Sequence, residues 1–205
     1  METITIADNE KYLRQVSKQV IFPDEDLEQE IKLLEEGCRD NKALALASIQ
    51  LRIPKRLIYL KNTNLELVKK IQTDSITEDD KNYNEERVLI NPVIISKEGL
   101  TEYWETCASC LDNMGHVYRP YKILVEYFDK DGLKYIETFE GFESTVLSHE
   151  MDHLDGILHI DIADEIIVMP FEERKIFRQS HPYNILNKEG DFESLLEGIK
   201  TKNRI

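Results

Sequence analysis

Several stretches of the chain repeat hydrophobic positions with the period of a helix. Residues 24–38 carry apolar side chains every three or four positions behind an acidic start, which predicts an amphipathic helix. Residues 142–154 follow a similar period, and Gly156 stands where a helix C-cap is expected. A proline opens a further predicted helix at 170–179, and a short helix is predicted at 192–199.

Other stretches are typical of strands. Residues 56–60 and 88–95 are short and rich in branched apolar side chains. Residues 121–128 and 133–139 flank an Asp-Gly step, which tolerates the positive φ angles of a tight turn, so the pattern predicts a hairpin. Residues 43–50 are small and apolar, and periodicity alone leaves strand and helix open there.

The order of these elements predicts the fold class. A helix, then strands, then a helix indicate an α+β domain with antiparallel sheets packed around a central helix at 142–154. We expect one domain at 1–180, with a polar, exposed insertion at 61–87, followed by a C-terminal tail at 181–205. A chain of 205 residues is long enough to bury a core of that kind.

Composition narrows the class of partner. The formal net charge is −14, which argues against nucleic acid and anionic membranes, because such a surface does not neutralise phosphates. Three cysteines cannot form a disulfide framework, and no signal peptide is recognisable, so we expect the reducing cytoplasm. No apolar run approaches the roughly 20 residues of a membrane helix.

The sharpest chemical signal is the run His149-Glu-Met-Asp-His153. Residues four apart project from the same face of a helix, so both imidazoles can reach one metal ion. Glu150 then lies beside the ion, where a general base acting on bound water belongs. Two surface histidines are the simpler alternative. The apolar flanks, however, predict a buried helix whose polar groups need partners, and a metal ion supplies them.

A catalytic site of this type needs a third protein ligand and an open position. Zinc peptidases with the same motif take that ligand from downstream, where the chain offers His159, Asp161 and Asp164. Cys107 offers a thiol from upstream instead. The residues alone leave open an amidohydrolase, a zinc endopeptidase and a non-catalytic metal-binding module. Cys107 and Cys110 also form a C-x-x-C, but a redox pair or zinc knuckle is the weaker interpretation because the sequence contains no second such pair.

Three ordered segments resemble the signature motifs of peptide deformylases. Residues 149–158, HEMDHLDGIL, are similar to the third signature of that family. Residues 105–109, ETCAS, resemble the second, which reads Glu-Gly-Cys-Leu-Ser in the family, and residues 43–50, ALALASIQ, resemble the first. The likeness covers about residues 5–178, and three ordered motifs are far more specific than one.

The resemblance implies removal of the formyl group from the N-terminal methionine of newly synthesised polypeptides. It implies that one divalent ion is held by Cys107, His149 and His153. Metal-bound hydroxide would attack the formyl carbon with Glu150 as general base. The Gln50 amide and the backbone N–H of Ala108 would help to stabilise the oxyanion. Fe²⁺ is the ion that the family typically prefers, and Zn²⁺, Ni²⁺ or Co²⁺ can occupy such sites.

The same resemblance implies a substrate cleft beside the metal. The peptide would lie there as an added strand. Phe142, Thr145 and Val146 lie one to two helical turns before His149, so we expect them to line the pocket for its first side chain, although core packing would explain Phe142 and Val146 equally well. Arg119 would pair with Glu105 and steady the cysteine loop as structural support. The expected substrate-binding residues are Leu44, Ala45, Glu105, Thr106, Phe142, Thr145 and Val146.

The substrate side departs from the family pattern at three glycines. Ala43, Ala45 and Thr106 stand in their places, although glycine serves where backbone must approach a ligand closely. The chain is therefore either an active deformylase with an altered cleft or a divergent paralogue. Such a paralogue would have weak or altered activity on other formylated amines, or would only bind metal or peptide. Retention of Gln50 and Glu150 favours activity. We expect a monomer that binds N-formylmethionyl peptides or nascent chains, without nucleic acid or membrane.

Overall fold

The computed structural model describes residues 2–61 and 86–202. The insertion predicted at 61–87 therefore lies almost entirely outside the described residues. In the described ranges the chain forms eight strands, joined by antiparallel pairing into one sheet, and six α-helices. None of these helices is long and apolar enough to cross a membrane.

The helices and strands form the predicted α+β fold. The helices are α1 (Ile6–Leu13), α2 (Leu27–Asp40), α3 (Phe142–Leu154), α4 (His159–Ile162), α5 (Phe171–Ser180) and α6 (Phe192–Lys202). The strands are β1 (Ala45–Ala47), β2 (Leu57–Leu60), β3 (Arg87–Thr106), β4 (Asn113–Arg119), β5 (Lys122–Phe128), β6 (Lys134–Glu140), β7 (Glu165–Val168) and β8 (Asn184–Asp191). Short 3₁₀ turns cover Ser48–Leu51 and Ala108–Cys110.

Most predicted elements are confirmed, with differences at their ends. α3 has the predicted limits, α2 begins at Leu27 instead of residue 24, and α6 extends beyond the predicted 199. The hairpin of β5 and β6 pairs from Lys122↔Glu140 to Phe128↔Lys134. The ambiguous stretch 43–50 divides into strand β1 and a 3₁₀ turn.

Five elements of the described chain, α1, β4, α4, β7 and β8, were not predicted. α1 begins with a capping box, because the Thr5 hydroxyl accepts from the Asp8 N–H and the Asp8 carboxylate accepts from the Thr5 N–H. Every residue of β8 is exposed, so its sequence lacks the alternation of apolar and polar positions that predicts a strand. β8 is held by pairing with β3 instead.

β3 organises the sheet because it pairs with four other strands along its 20 residues in the described part of the chain. Its first residues pair with β2, and its middle pairs with β5 and then β8. Its last residues pair with β4, from Thr101↔Arg119 to Thr106↔Met114. β3 therefore leads directly from the centre of the sheet into Cys107.

α3 is the helix that packs against this sheet. Its apolar side chains Leu147, Met151 and Leu154 belong to a buried cluster with side chains of β1, β2, β3, β5 and β6. Burial of each such side chain contributes about 1.5–3 kcal/mol. Polar side chains of α3 are buried as well, namely Ser144, Thr145, Ser148, Glu150 and His153. Buried polar groups require partners, so this helix is where a functional site is expected.

Gly156 ends α3 in the left-handed region, with φ +74°. Its N–H donates to the His153 carbonyl at 3.1 Å, and the Ile157 N–H donates to the Asp152 carbonyl at 2.9 Å, which satisfies carbonyls at the helix end. A β-carbon at Gly156 would stand 2.4 Å from the carbonyl oxygen of Arg14. The N-terminal segment therefore approaches the end of α3 as closely as glycine permits.

Replacing Gly156 with alanine should lower the free energy of unfolding by about 1–3 kcal/mol, because the backbone conformation and the Arg14 carbonyl both oppose a methyl group. Gly198→Ala is the matched control, since a β-carbon at Gly198 in α6 meets no described atom within 4 Å. That change should be neutral or stabilising by up to about 1 kcal/mol. Urea unfolding followed by circular dichroism measures both values. Equal effects would contradict this description of the end of α3.

Candidate metal centre

Three metal-binding side chains converge where the end of β3 meets α3. The ligand atoms of Cys107, His149 and His153 all lie within 4.8 Å of one another. Cys107 Sγ is 3.2 Å from His153 Nε2. Among the residues that the structure describes, no other group of cysteine, histidine and carboxylate side chains has this arrangement. The three residues expected to bind metal are thus brought together.

Local structure places these atoms. β3 ends at Thr106, and Cys107 is the cap residue of the following 3₁₀ turn, whose Cys110 N–H donates to the Cys107 carbonyl at 3.0 Å. On α3, His149 and His153 are one helical turn apart, and their ring centroids are 4.9 Å apart. The turn after β3 therefore aims the thiol at two imidazoles that the helix already holds side by side.

The donor set fits one divalent ion. Bonds of about 2.3 Å to sulfur and about 2.0–2.1 Å to nitrogen put neighbouring tetrahedral ligands roughly 3.5 Å apart, which the spacing of these atoms can accommodate. A thiolate and two imidazoles suit zinc or ferrous iron. Cys107 and His153 are buried, whereas the His149 side chain is 11% exposed. All three ligands are thus largely buried, and His149 is the most accessible of them.

Glu105 orients one of the histidines. His149 Nδ1 lies 2.8 Å from Glu105 Oε2, which leaves Nε2 for a metal. Arg119 donates to the same carboxylate through Nε at 2.8 Å and Nη2 at 3.0 Å, and through Nη1 to Asp152 Oδ2 at 2.5 Å. The expected Arg119–Glu105 pair is therefore present, and it extends to a metal-binding imidazole.

The charges of this group are mutually stabilised. Burial alone would raise the pKa of Glu105, but Arg119 and His149 hold it well below its usual value. Burial likewise opposes the charge of Arg119, while Glu105 and Asp152 raise its pKa. Burial would also lower the pKa of His149, but hydrogen bonding to Cys107 and Glu105 raises it. Glu105 is consequently an ionised carboxylate inside the protein.

Glu150 has the environment of a proton acceptor near neutral pH. Its side chain is buried, and its Oε2 has no hydrogen-bond partner within the described ranges. Burial is the largest cause that raises the pKa of Glu150, to about 7, and the nearby His149 and the Ala47 N–H act in the opposite direction. A carboxyl group with a pKa near the working pH is suited to general acid–base catalysis.

The side-chain amide of Gln50 lies beside the Cys107 thiol. Its Oε1 accepts from the Ala47 N–H at 3.1 Å, which turns its amide NH₂ towards Ser109 Oγ at 3.0 Å and Cys107 Sγ at 3.4 Å. Ala108, the residue after the cysteine, is exposed on its 3₁₀ turn. Both expected oxyanion donors therefore lie beside the cluster, one buried and one at the surface.

The residues expected along the peptide cleft lie on two elements. β1 is an edge strand, because in the described part of the chain it pairs with β2 alone. Leu44 is half-buried and its carbonyl accepts from the Lys61 N–H on the β2 side, whereas Ala45 is buried in the hydrophobic cluster. Thr106, at the end of β3, accepts a hydrogen bond from Arg178 through Oγ1 at 2.8 Å.

The residues expected in the side-chain pocket lie on α3. Phe142 packs edge-to-face on Tyr103, with ring centroids 5.3 Å apart, and Thr145 is buried. Val146 is half-buried against the hydrophobic cluster. Glu105, expected among the substrate-binding residues, has both oxygens engaged, which favours a supporting role.

The alternative third ligands have other partners. His159 Nε2 lies 3.3 Å from the Asn113 carbonyl, and Asp161 binds Arg14 at 2.7 and 3.0 Å. Asp164 lies 2.7 Å from His116 Nδ1. Cys110 is a free, buried cysteine, so the C-x-x-C holds no disulfide. These contacts favour the thiol over a downstream ligand.

The fold and this site together define a metal-dependent hydrolase. The polypeptide deformylase family model matches residues 1–167. The peptide deformylase of Pelagibacter ubique is 34% identical over 161 residues, covering 76% of this chain and 83% of the relative. That of Bradyrhizobium diazoefficiens is 36% identical over 162 residues, covering 77% of this chain and 84% of the relative. The chain belongs to the peptide deformylase family.

Solved structures agree with that assignment. A probable peptide deformylase from Synechococcus phage S-SSM7 has a TM-score of 0.64 and 31% identity, covering 78% of this chain and 97% of the other. A peptide deformylase from Legionella pneumophila has a TM-score of 0.62 and 26% identity, covering 86% and 90%. The predicted family and fold are thereby confirmed.

Sequence reasoning missed several residues of the site. The contact of Glu105 with His149 was not expected, and neither were those of Ser109 with Gln50 and Asp152 with Arg119. Ser109 lies within the second signature segment, and that position was the sequence signal that could have indicated its contact with Gln50. The Asp152 contact depends on how α3 sits against β4, which no local pattern contains.

Replacing Arg119 with methionine should lower the free energy of unfolding of the metal-free protein by about 3–5 kcal/mol, because the buried Glu105 carboxylate loses its partner. Arg14→Met is the control, since Arg14 and Asp161 form an ion pair with side chains 37% and 33% exposed. Its loss should cost roughly 1 kcal/mol or less. Urea unfolding measures both. Equally small losses would contradict the role assigned to the buried pair.

Proposed function

We propose that this chain removes the formyl group from the N-terminal methionine of newly synthesised polypeptides, with Cys107, His149 and His153 holding the metal ion. The observation that carries the proposal is the convergence of the ligand atoms of Cys107, His149 and His153 within 4.8 Å of one another, with the buried Glu150 carboxyl group next to His149 on α3. A divalent ion held by Cys107, His149 and His153 would lower the pKa of a water molecule and so supply a nucleophile, and would polarise the formyl oxygen.

The other residues are assigned roles from their positions. Glu150 takes a proton from the attacking water and delivers it to the leaving amine. The Gln50 amide and the Ala108 N–H donate hydrogen bonds to the developing oxyanion. Glu105 holds His149 in the tautomer that leaves Nε2 free, and Arg119 holds Glu105.

The edge of β1 is the proposed docking site for the peptide backbone. Because the Leu44 carbonyl faces β2, alternation along the strand turns the backbone groups of Ala45 towards the free edge. An extended peptide can add there as a further strand, with its first side chain directed to Phe142, Thr145 and Val146. The Ala45 methyl group lies in the hydrophobic cluster, away from that path.

Fe²⁺ is the ion we propose, and Zn²⁺, Ni²⁺ and Co²⁺ are compatible with the same donors. The proposed partners are N-formylmethionyl peptides and nascent chains, bound by a monomer without direct contact to nucleic acid. We propose the cytoplasm as the compartment because newly synthesised chains are the substrate. The alternative function is that of a paralogue with weak or altered activity, and Thr106 is the residue that favours it. Thr106 stands where the family has glycine, and its hydroxyl accepts a hydrogen bond from Arg178.

Glu150→Gln should lower kcat/KM for formyl-Met-Ala-Ser by about 10²–10⁴-fold while the protein still binds one metal ion, because the amide cannot accept the proton. Cys107→Ala should abolish stable metal binding as well as activity. Formate release, assayed anaerobically with the ferrous protein, and metal content together measure these effects.

The matched control is Cys110→Ala, because Cys110 is buried but lies outside the cluster. It should retain both metal and activity. Undiminished formate release by the Glu150→Gln protein would exclude the proposed mechanism. An inactive but metal-loaded wild-type protein would favour the binding-module alternative.

A further inference from the structure

The side chain of Tyr183 packs between α3 and β3, where the pocket for the first substrate side chain is expected. Tyr183 belongs to the connection between α5 and β8. Its ring packs edge-to-face against Phe142 at 5.4 Å and Tyr103 at 6.1 Å between centroids. An aromatic side chain from the C-terminal part of the chain therefore occupies space next to residues expected to receive the substrate.

The Tyr183 hydroxyl lies between Thr101 on β3 and Thr145 on α3. The hydroxyl is buried and faces the hydroxyls of Thr101 and Thr145, themselves 3.5 Å apart. It makes no hydrogen bond of normal geometry to any described residue. Burial raises the pKa of the phenol, and the two threonines partly offset that rise. The ring and hydroxyl of Tyr183 thus occupy the space between Thr101 and Thr145.

The residues around Tyr183 share faces of α3 and β3 with the residues of the metal centre. Thr145 and Phe142 precede His149 by four and seven residues on α3, so the three side chains share one face of the helix. Tyr103 precedes Glu105 by two residues on β3, so both side chains point to the same face of the sheet, and Glu105 contacts His149. Tyr183 thus lies along the surface that leads to the metal-binding imidazole.

The segment that carries Tyr183 is attached at the surface. Arg178 donates to the Trp104 carbonyl at 3.3 Å and to Thr106 Oγ1 at 2.8 Å, and Phe177 packs on the Trp104 ring at 5.2 Å. α5 has no buried residue, and every residue of β8 is exposed. Elements with few buried contacts open at low free-energy cost. This segment also lies beyond residue 167, where the match to the family model ends.

We propose that Tyr183 is a removable stopper that determines substrate specificity by competing with the first side chain of the peptide for this pocket. The proposal rests on the proposed function. A peptide with a large first side chain binds only when the segment carrying Tyr183 has moved, so its apparent affinity falls by the fraction of molecules in which the pocket is open. A peptide with glycine first escapes this competition.

Tyr183→Ala and the matched Tyr183→Phe test the proposal. With formyl-Met-Ala-Ser, Tyr183→Ala should lower KM roughly 10-fold with kcat unchanged, as expected for loss of two aromatic contacts that compete with the substrate. Tyr183→Phe should keep the high KM because its ring still fills the pocket. With formyl-Gly-Ala-Ser, neither variant should change KM by more than about 2-fold. If Tyr183→Ala raises KM or lowers kcat for both peptides alike, Tyr183 is a fixed wall of the site and the proposal is wrong.

Amide hydrogen exchange provides a readout independent of turnover. In the metal-loaded Glu150→Gln protein, formyl-Met-Ala-Ser should slow exchange at residues 43–47 and speed it at 181–191. Slowed exchange at 43–47 without faster exchange at 181–191 would overturn the stopper while leaving the proposed function intact. No change in either segment would reject peptide binding, and the proposed function with it.

Discussion

A buried carboxylate joins the segments that meet at the metal centre. Glu105 comes from β3, Arg119 from β4 and His149 from α3, and hydrogen bonds of 2.8–3.0 Å connect them. Moving a charged side chain from water into the protein interior costs free energy. The buried charges of Glu105 and Arg119 are therefore compatible with a stable fold mainly because each has its partner. The effect of the buried carboxylate on the site is geometric. It fixes which nitrogen of His149 faces Cys107, and it holds the end of β3 against the helix.

The protein keeps an unsatisfied polar atom where reaction is proposed. Glu150 Oε2 is buried without a hydrogen-bond partner in the described residues. Most buried polar groups in proteins are paired, so an exception beside a metal-binding cluster is typical of a site that binds water or substrate. The same burial that raises the pKa of Glu150 to about 7 also makes it able to exchange a proton near neutral pH. Burial of the Glu150 carboxyl group thus lowers the stability of the folded protein, but it suits this group to proton transfer.

The sequence predicted the part of the site that depends on local spacing. His149 and His153 stand four apart on a helix whose limits, 142–154, were predicted correctly. The choice of Cys107 over His159 depended on resemblance, because residue types alone could not decide between an upstream and a downstream ligand. The contact of Glu105 with His149 could not be predicted, since it depends on the register of β3 and the packing of α3. β8 was missed because its residues are all exposed, and the position of Tyr183 follows from that strand.

The account depends on one ion bound by one sulfur and two imidazoles. X-ray absorption at the metal edge of the zinc-loaded wild-type protein measures this directly. We predict one sulfur scatterer at about 2.3 Å together with nitrogen or oxygen scatterers at about 2.0–2.1 Å, two of them with the outer-shell pattern of imidazole. A spectrum without sulfur, or with two sulfurs from both Cys107 and Cys110, would contradict the account.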